Sequence, residues 1–429
     1  MRAGPSQEEI RRHNLGTLLR YVHVRGPTSR AELTARLGLN RSTIGALTAD
    51  LAGAGLVREE VPRGLGRAGR PSLVVQPEAE RVYVYAFSVE VDRLVAARVG
   101  LGGEVLDRRE MPRPRGERPA EKVVAPFAEF VRENEARVPT DAIYIGSAAA
   151  VCANLRREDG LVHLIGDISW VERPLRAALT EALGRSNVAT AVRKSADLAA
   201  LVEHIRGVAV GVDNVIYLHG DAGIGGAIIA GGRPLTGHGG YGGEVGHMAV
   251  NPNGQPCNCG SRGCWETEIG EHALIRAAGR DGTGKAAVAA VVDAGARGDA
   301  MAQAALRQVG DWLGYGVANL VNVFNPDMIV FGGTLRDVYL ASAVQVRGRL
   351  YRMCPPAVRD HVRLRTPTLG DDASLLGAAE LAFERLLADP LEVAAAPDGV
   401  DERTASDVDT LGQDDEPSLA ADPVSADAG

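Results

Sequence analysis

The sequence predicts an α/β protein in which a small basic helical module precedes two similar α/β lobes. Three observations carry this. At 429 residues the chain exceeds what one ordinary hydrophobic core organises. Its apolar pattern changes from helical to strand periodicity near residue 80. The order of strands and helices that begins at residue 82 starts again at residue 214.

Composition narrows the function classes. Hydrophobic residues make up 45% of the chain, as in a globular protein, and no apolar run approaches the ~20 residues of a membrane span. The N-terminus is polar and charged, without the apolar core of a secretory leader. A soluble cytoplasmic protein with no membrane partner is expected. The net charge of −8 is unevenly spread. Residues 1–75 hold twelve arginines against six acids, whereas residues 389–429 hold twelve acids and one arginine. A basic N-terminal module suits a polyanion partner, or is the solvated face of a small helical domain; charge alone does not choose.

The elements follow in order. Leu15, Leu18, Leu19 and Val22 share one helical face, and Gly26 with Pro27 ends that helix. Ser29 and Glu32 have capping-box spacing and open a second helix carrying Leu33 and Leu37, which Gly38 stops. Asn40 suits the N-cap of a third helix whose buried side is Ile44, Leu47 and Leu51. Leu56 and Val57 lead into a Pro/Gly/Arg segment at 62–71. Strands over 82–89, 93–101 and 103–106 form a meander, followed by a helix over roughly 117–137 and a strand over 141–146. The second half has strands over 214–220 and 226–232, a Gly/Cys-rich loop, a helix over about 299–323 and a strand over 328–333. Ala302, Leu306, Val309, Leu313, Val317 and Leu320 lie along one side of that helix. These elements divide the chain into a module at 1–75 and lobes at 80–205 and 206–388 with a cleft between them. A tail at 389–429, rich in Asp, Ala, Ser and Pro, is expected to be disordered.

Three helices ahead of a Gly/Arg hairpin is the plan of a winged helix-turn-helix, whose third helix enters the major groove of double-stranded DNA. The exposed side of that helix offers Arg41, Ser42 and Thr43, while Gly45 and Ala46 are too small to reach base edges. Arg63, Arg67 and Arg70 on the hairpin suit the minor groove and phosphates, which position a domain without choosing a sequence. The alternative is a three-helix module that contacts protein, and the arginine-rich hairpin favours DNA.

The most informative segment is 242–266. His247, Cys257, Cys259 and Cys264 supply one imidazole and three thiols, the donor set of a closed tetrahedral structural Zn2+ site. Such a site leaves no ligand position for water, so the metal is expected to hold the loop and not to catalyse.

The run from Gly242 to Met248, followed by Cys257 to Glu266, closely resembles the signature of the ROK family, which contains bacterial sugar kinases, repressors and open-reading-frame proteins. The segment 221–232, the strand end at 331–333 and the Trp170 to Leu175 stretch add to the resemblance, which spans nearly the whole chain to about residue 388. It implies a two-lobed actin-like, sugar-kinase-like (ribonuclease H-like) ATPase fold. The N-terminal winged helix ending in Gly69, Arg70 and Pro71 resembles the repressor branch, linked to xylose, N-acetylglucosamine and glucose. A DNA-binding repressor of carbohydrate-related metabolism is therefore implied, acting on an operator as a homodimer or homotetramer. The alternative is a sugar kinase with an added DNA-binding arm. The resemblance assigns sugar hydroxyls to Glu244, His247 and Glu266, with His247 giving one ring nitrogen to zinc and the other to the ligand.

The same resemblance shows what has changed. The family's D-x-G-x-T element falls at Ser88, Val89, Glu90, Val91 and Asp92, so a glutamate stands where phosphate should pack. The family's catalytic aspartate falls at Ser195, which cannot take a proton as a carboxylate would. The chain is therefore expected not to be an enzyme. Two further sugar contacts fall on altered residues, Asp167 and Lys194. Arg193 beside Lys194 would suit a sugar phosphate if both cations faced the cleft; ordinary surface charge is the other reading.

Overall fold

The structure, a computed structural model, describes residues 6–61, 72–115, 121–156, 161–164, 173–184 and 190–395. The N-terminal module holds helix α1 (Gln7–Arg25), strand β1 (Thr28–Ser29), helices α2 (Arg30–Leu37) and α3 (Arg41–Gly53), and strands β2 (Val57–Glu60) and β3 (Val74–Pro77). Ser6 and Glu9 cap each other at the start of α1. At α2 only half of the expected box forms: Ser29 Oγ accepts from the Glu32 amide at 3.1 Å. The Glu32 carboxylate accepts from the Tyr21 hydroxyl instead, at 3.3 Å. Asn40 caps α3 through the Thr43 amide at 2.8 Å. Leu15, Leu18, Leu19, Val22, Leu33, Ile44, Leu47 and Leu51 are buried together. The strands pair in the order β1-β3-β2, giving the three helices and hairpin of a winged helix.

The first lobe contains β4 (Val82–Val89), β5 (Arg93–Gly100), β6 (Val105–Pro112), α4 (Glu121–Glu135) and β7 (Ile143–Val151). A small sheet of β8 (Asn154–Leu155), β9 (Leu161–Leu164) and β10 (Arg173–Pro174) precedes α5 (Leu175–Ala182), β11 (Ala191–Lys194) and α6 (Ser195–Ile205). Its main sheet runs β11-β7-β4-β5-β6, with an antiparallel meander and two parallel strands. The second lobe repeats the plan. It holds β12 (Val215–Gly220), β13 (Ile224–Ala230), β14 (Arg233–Pro234), α7 (Trp265–Ile269), α8 (Glu271–Ala277), α9 (Gly284–Ala296), α10 (Ala300–Phe324), β15 (Met328–Gly333), α11 (Thr334–Met353), α12 (Pro356–Arg359) and β16 (Arg363–Arg365). Its sheet runs β14-β13-β12-β15-β16, again a meander followed by two parallel strands. The duplicated α/β lobe anticipated from the sequence is thus present at the level of strand order.

The C-terminal helices depart from the expected division. Helix α13 (Ala373–Ala388) packs on β4 and β7 of the first lobe and on α6, and it also carries α1 of the N-terminal module. Its Leu375, Phe383, Leu386 and Leu387 enter one continuous core with Leu18, Leu19 and Val22. A further helix, α14 (Pro390–Ala395), buries Val393 in that core, so packing continues past the expected boundary at 388. One apolar side chain in the right register outweighs the polar composition around it. Residues 396–429 of the expected acidic tail lie outside the described residues.

The lobes meet through charge. Arg115, beyond β6, donates both terminal nitrogens to Glu271 of α8, whose carboxylate is fully buried. Arg108 of β6 pairs with Asp372 at 3.0 Å. Inside the second lobe, Trp265 is fully buried and its indole N–H donates to the Trp312 carbonyl at 2.9 Å. A Cβ at Gly316 of α10 would lie 2.1 Å from the Trp265 ring. Gly316→Ala is expected to destabilise the chain by about 1–3 kcal/mol through overpacking, read as a lower urea midpoint with an unchanged slope.

Candidate ligand and metal site

The loop from β14 to α7 closes on itself by isolated antiparallel bridges, Ala249 with Cys264 and Pro256 with Arg262. The Cys257 amide donates to the Ser261 carbonyl at 2.8 Å, and the Gly260 amide to the Cys257 carbonyl at 3.0 Å. These turns put Cys257, Cys259 and Cys264 on one point. Gly263 is required there: its φ is +68° and a Cβ would overlap the Asn251 carbonyl oxygen at 1.6 Å. One donor atom from each of His247, Cys257, Cys259 and Cys264 falls within 4.8 Å of the others. Three sulfurs and one imidazole at that spacing fit a tetrahedrally bound soft or borderline ion.

His247 joins this cluster to a cavity. Its Nδ1 faces the Cys257 sulfur at 3.7 Å, and its Nε2 faces Glu244 at 4.0 Å. Glu266, in the first turn of α7, accepts from the Cys257 thiol at 2.8 Å and also lines the cavity. Glu244, His247, Glu266 and Lys194 all line it, so four of the five expected ligand contacts converge; Asp167 lies outside the described residues. Lys194 closes β11 and donates to the Gly242 carbonyl at 2.6 Å and to Glu244 at 3.2 Å. Arg193 does not line the cavity. Adjacent strand residues point to opposite faces, and its guanidinium bonds the Val192 carbonyl of its own strand. Arg193 and Lys194 therefore do not face the cavity together, which favours the surface-charge reading over a two-cation phosphate site.

Ser195 sits at the start of α6 against the cavity, buried, its Oγ without a hydrogen-bond partner. His219, at the end of β12, lines the same cavity and has an unpartnered Nδ1. Sequence reasoning missed His219, because a histidine at the end of an apolar strand carries no local signal.

Beyond His219 opens a larger cleft of about 780 Å³. Its walls carry Glu90, Asp92, Glu110, Asp221 and Asp371 against two cations, Arg93 and Lys285. Both cations are already paired: Arg93 with Glu90 and Glu110, Lys285 with Asp371. Burial, then neighbouring Asp92 and Glu271, push the Asp221 pKa up to about 6, so it is ionised at neutral pH. Ser88 is buried, its hydroxyl within 3.4 Å of both the Glu90 carboxylate and the Ser374 hydroxyl of α13. A polyphosphate entering this cleft meets carboxylates with no free counter-charge among these lining residues.

On the N-terminal module, Arg41 and Ser42 are exposed and Thr43 is half-buried at the start of α3. The Ser42 and Thr43 hydroxyls donate to Asn40 Oδ1, at 2.6 and 3.0 Å. Arg63, Arg67 and Arg70 lie outside the described residues.

Three helices and a hairpin on a two-lobed α/β body, with a His/Cys loop against the cleft, are the arrangement of a sugar-kinase-like protein with an added N-terminal arm. Residues 85–385 match the ROK family, and the chain belongs to it. The xylose repressor of Bacillus subtilis is 26% identical over 384 residues, 89% of this chain and 97% of that protein. A glucokinase of Streptomyces coelicolor is 30% identical over 310 residues, 68% of this chain and 95% of the other. A solved ROK family transcriptional regulator, a homolog of the E. coli MLC protein, superposes with a TM-score of 0.72 at 24% identity. That fold covers 91% of this chain and all of the other. Among the described residues no helix is long and apolar enough to cross a membrane.

Proposed function

We propose that the chain is a DNA-binding repressor of carbohydrate-related genes, with a sugar-kinase body that no longer transfers phosphate. The carrying observation is the pairing of a winged helix with a cleft walled by carboxylates, with Ser195 standing where the family resemblance puts the catalytic aspartate. The repressor likeness covers 89% of this chain, whereas the glucokinase likeness covers 68%. Residues 1–75 would hold the operator through Arg41, Ser42, Thr43, Arg63, Arg67 and Arg70. The lobes at 80–205 and 206–388 would close on a sugar through Glu244, His247, Glu266, Lys194 and Asp167. The ion of the Cys/His cluster is zinc in this reading, held by His247, Cys257, Cys259 and Cys264; it fixes the ring that presents Nε2 to the ligand. A homodimer or homotetramer in the cytoplasm, with two arms on two half-sites, completes the proposal.

The ligand works by binding one lobe arrangement better than another. Lys194 is spent on Glu244 and Gly242, which favours a neutral sugar over a sugar phosphate.

Anisotropy titrations with a duplex selected from genomic fragments test the first half. Affinity is expected to fall by about 10³–10⁵ between ~50 and ~200 mM salt if 6–10 phosphates are contacted, and Arg41→Ala is expected to flatten the slope by about one if it holds a phosphate. A salt-independent response would point to a protein partner. Incubation with ATP and a panel of hexoses and pentoses tests the second half: turnover would restore the kinase reading.

A further inference from the structure

The N-terminal module is fixed to the body by a buried polar cluster that the proposed DNA and sugar contacts do not use. His23, in the last turn of α1, is fully buried. Its Nδ1 accepts from the Gly102 amide in the β5–β6 turn at 2.9 Å. A backbone amide only donates, so Nδ1 carries no proton. The ring proton is then on Nε2, which donates to Glu380 of α13 at 3.1 Å. The other Glu380 oxygen accepts from Arg206 Nε, just past α6, at 2.6 Å. Arg206 also donates to the carbonyls of Val24 and Gly102, at 3.3 and 3.1 Å. Arg20, one turn before His23, is held by Glu384 at 2.6 Å. The Phe383 ring packs edge-on against His23 at 5.1 Å.

We propose that His23 is a pH-sensitive latch between the DNA-binding module and the body. A proton on Nδ1 would set two donors, ring N–H and Gly102 N–H, against each other at hydrogen-bond distance. To satisfy that proton the ring must give up its contact with the Gly102 amide, and so leave its seat on the β5–β6 turn. The charges facing it are Glu380 of α13, Arg206 beyond α6 and Arg20 of α1. Burial pushes the His23 pKa below the ordinary imidazole value, and Glu380 opposes this while Arg206 and Arg20 support it. Burial opposes ionisation of Glu380, but His23 and Arg206 hold its pKa down at about 2, so the carboxylate does not titrate with the latch.

The sign follows. The docked ring binds a proton less readily than the released ring, whose pKa is ~6.5. Docking is therefore complete above that pH and is lost as pH falls through it towards the docked value, by about tenfold per pH unit.

Hydrogen–deuterium exchange on the full chain reads this directly. Exchange of α1 and of the β5–β6 turn, corrected for intrinsic rate, is expected to rise about tenfold between pH ~7.5 and ~5.5, while α10 stays constant. His23→Gln, which does not titrate, is expected to abolish the rise. A flat wild-type response, or the same rise in the variant, would overturn the latch. Should the variant not fold, ring ¹⁵N shifts of the wild type decide: a proton on Nδ1 at neutral pH sinks the proposal, and one on Nε2 supports it. Neither readout involves DNA or sugar, so the result stands apart from the functional reading above.

Discussion

If the Cys/His cluster holds zinc as proposed, Cys264→Ser is expected to abolish zinc binding and to unseat residues 242–266. Cys264 is fully buried and ends the bridge to Ala249, so its thiolate is both a ligand and a packed residue. A hydroxyl is a poor substitute for thiolate on a borderline ion, and a three-ligand remnant lets water in. Structural zinc contributes about 10–16 kcal/mol of apparent binding energy in isolated fingers at neutral pH, and part of that is folding energy. Metal analysis should give one zinc per wild-type chain and less than about a tenth in the variant. Chelation of the wild type should lower the melting temperature to the same degree. Stoichiometric zinc in Cys264→Ser would remove the metal from the account. Because the next residue, Trp265, anchors the second-lobe core, the loss reaches beyond the loop.

Glu271→Ala is expected to cost about 3–5 kcal/mol, the typical effect of removing one partner of a buried ion pair. Glu271 Oε2 accepts from the Gly284 amide at 2.9 Å and from Arg115 at 3.2 Å. Removing it takes the bidentate carboxylate from Arg115 and the acceptor from the Gly284 amide at the lobe boundary. Arg115→Leu combined with Glu271→Leu should recover most of the loss, since a packed apolar pair replaces the buried charges. Urea unfolding followed by circular dichroism measures both. A single substitution within about 0.5 kcal/mol of wild type would show that the pair is not buried in solution.

Features encoded over short stretches were legible in the sequence. The helix start at Asn40 announced itself because a capping side chain acts only three residues away. The Cys/His cluster was legible because three of its ligands lie within one tight turn. Strand β6 runs to Pro112, well beyond the expected residue 106, because its Arg and Glu side chains line an exposed edge and conceal the alternation. Asp221 and His219 reach the cleft through the parallel pairing of β12 with β15, which no neighbouring residue encodes. The least legible feature was the seat of the N-terminal arm. His23 and Glu380 are separated by 357 residues, and nothing in either segment specifies that α13 returns to the first sheet.

Helix α6 has an end in each of two places that matter. Lys194 and Ser195 at its start form part of the cavity wall, and Arg206 at its finish grips the last turn of α1. Eleven residues make it about 16 Å long, a strut too short to bend appreciably. Glu203 bolts its far portion to the Leu369 amide and the Thr368 hydroxyl of the second lobe. In the ligand reading proposed above, a displacement of the near end by an occupant would reach the base of the arm along one helix, without passing through a loop.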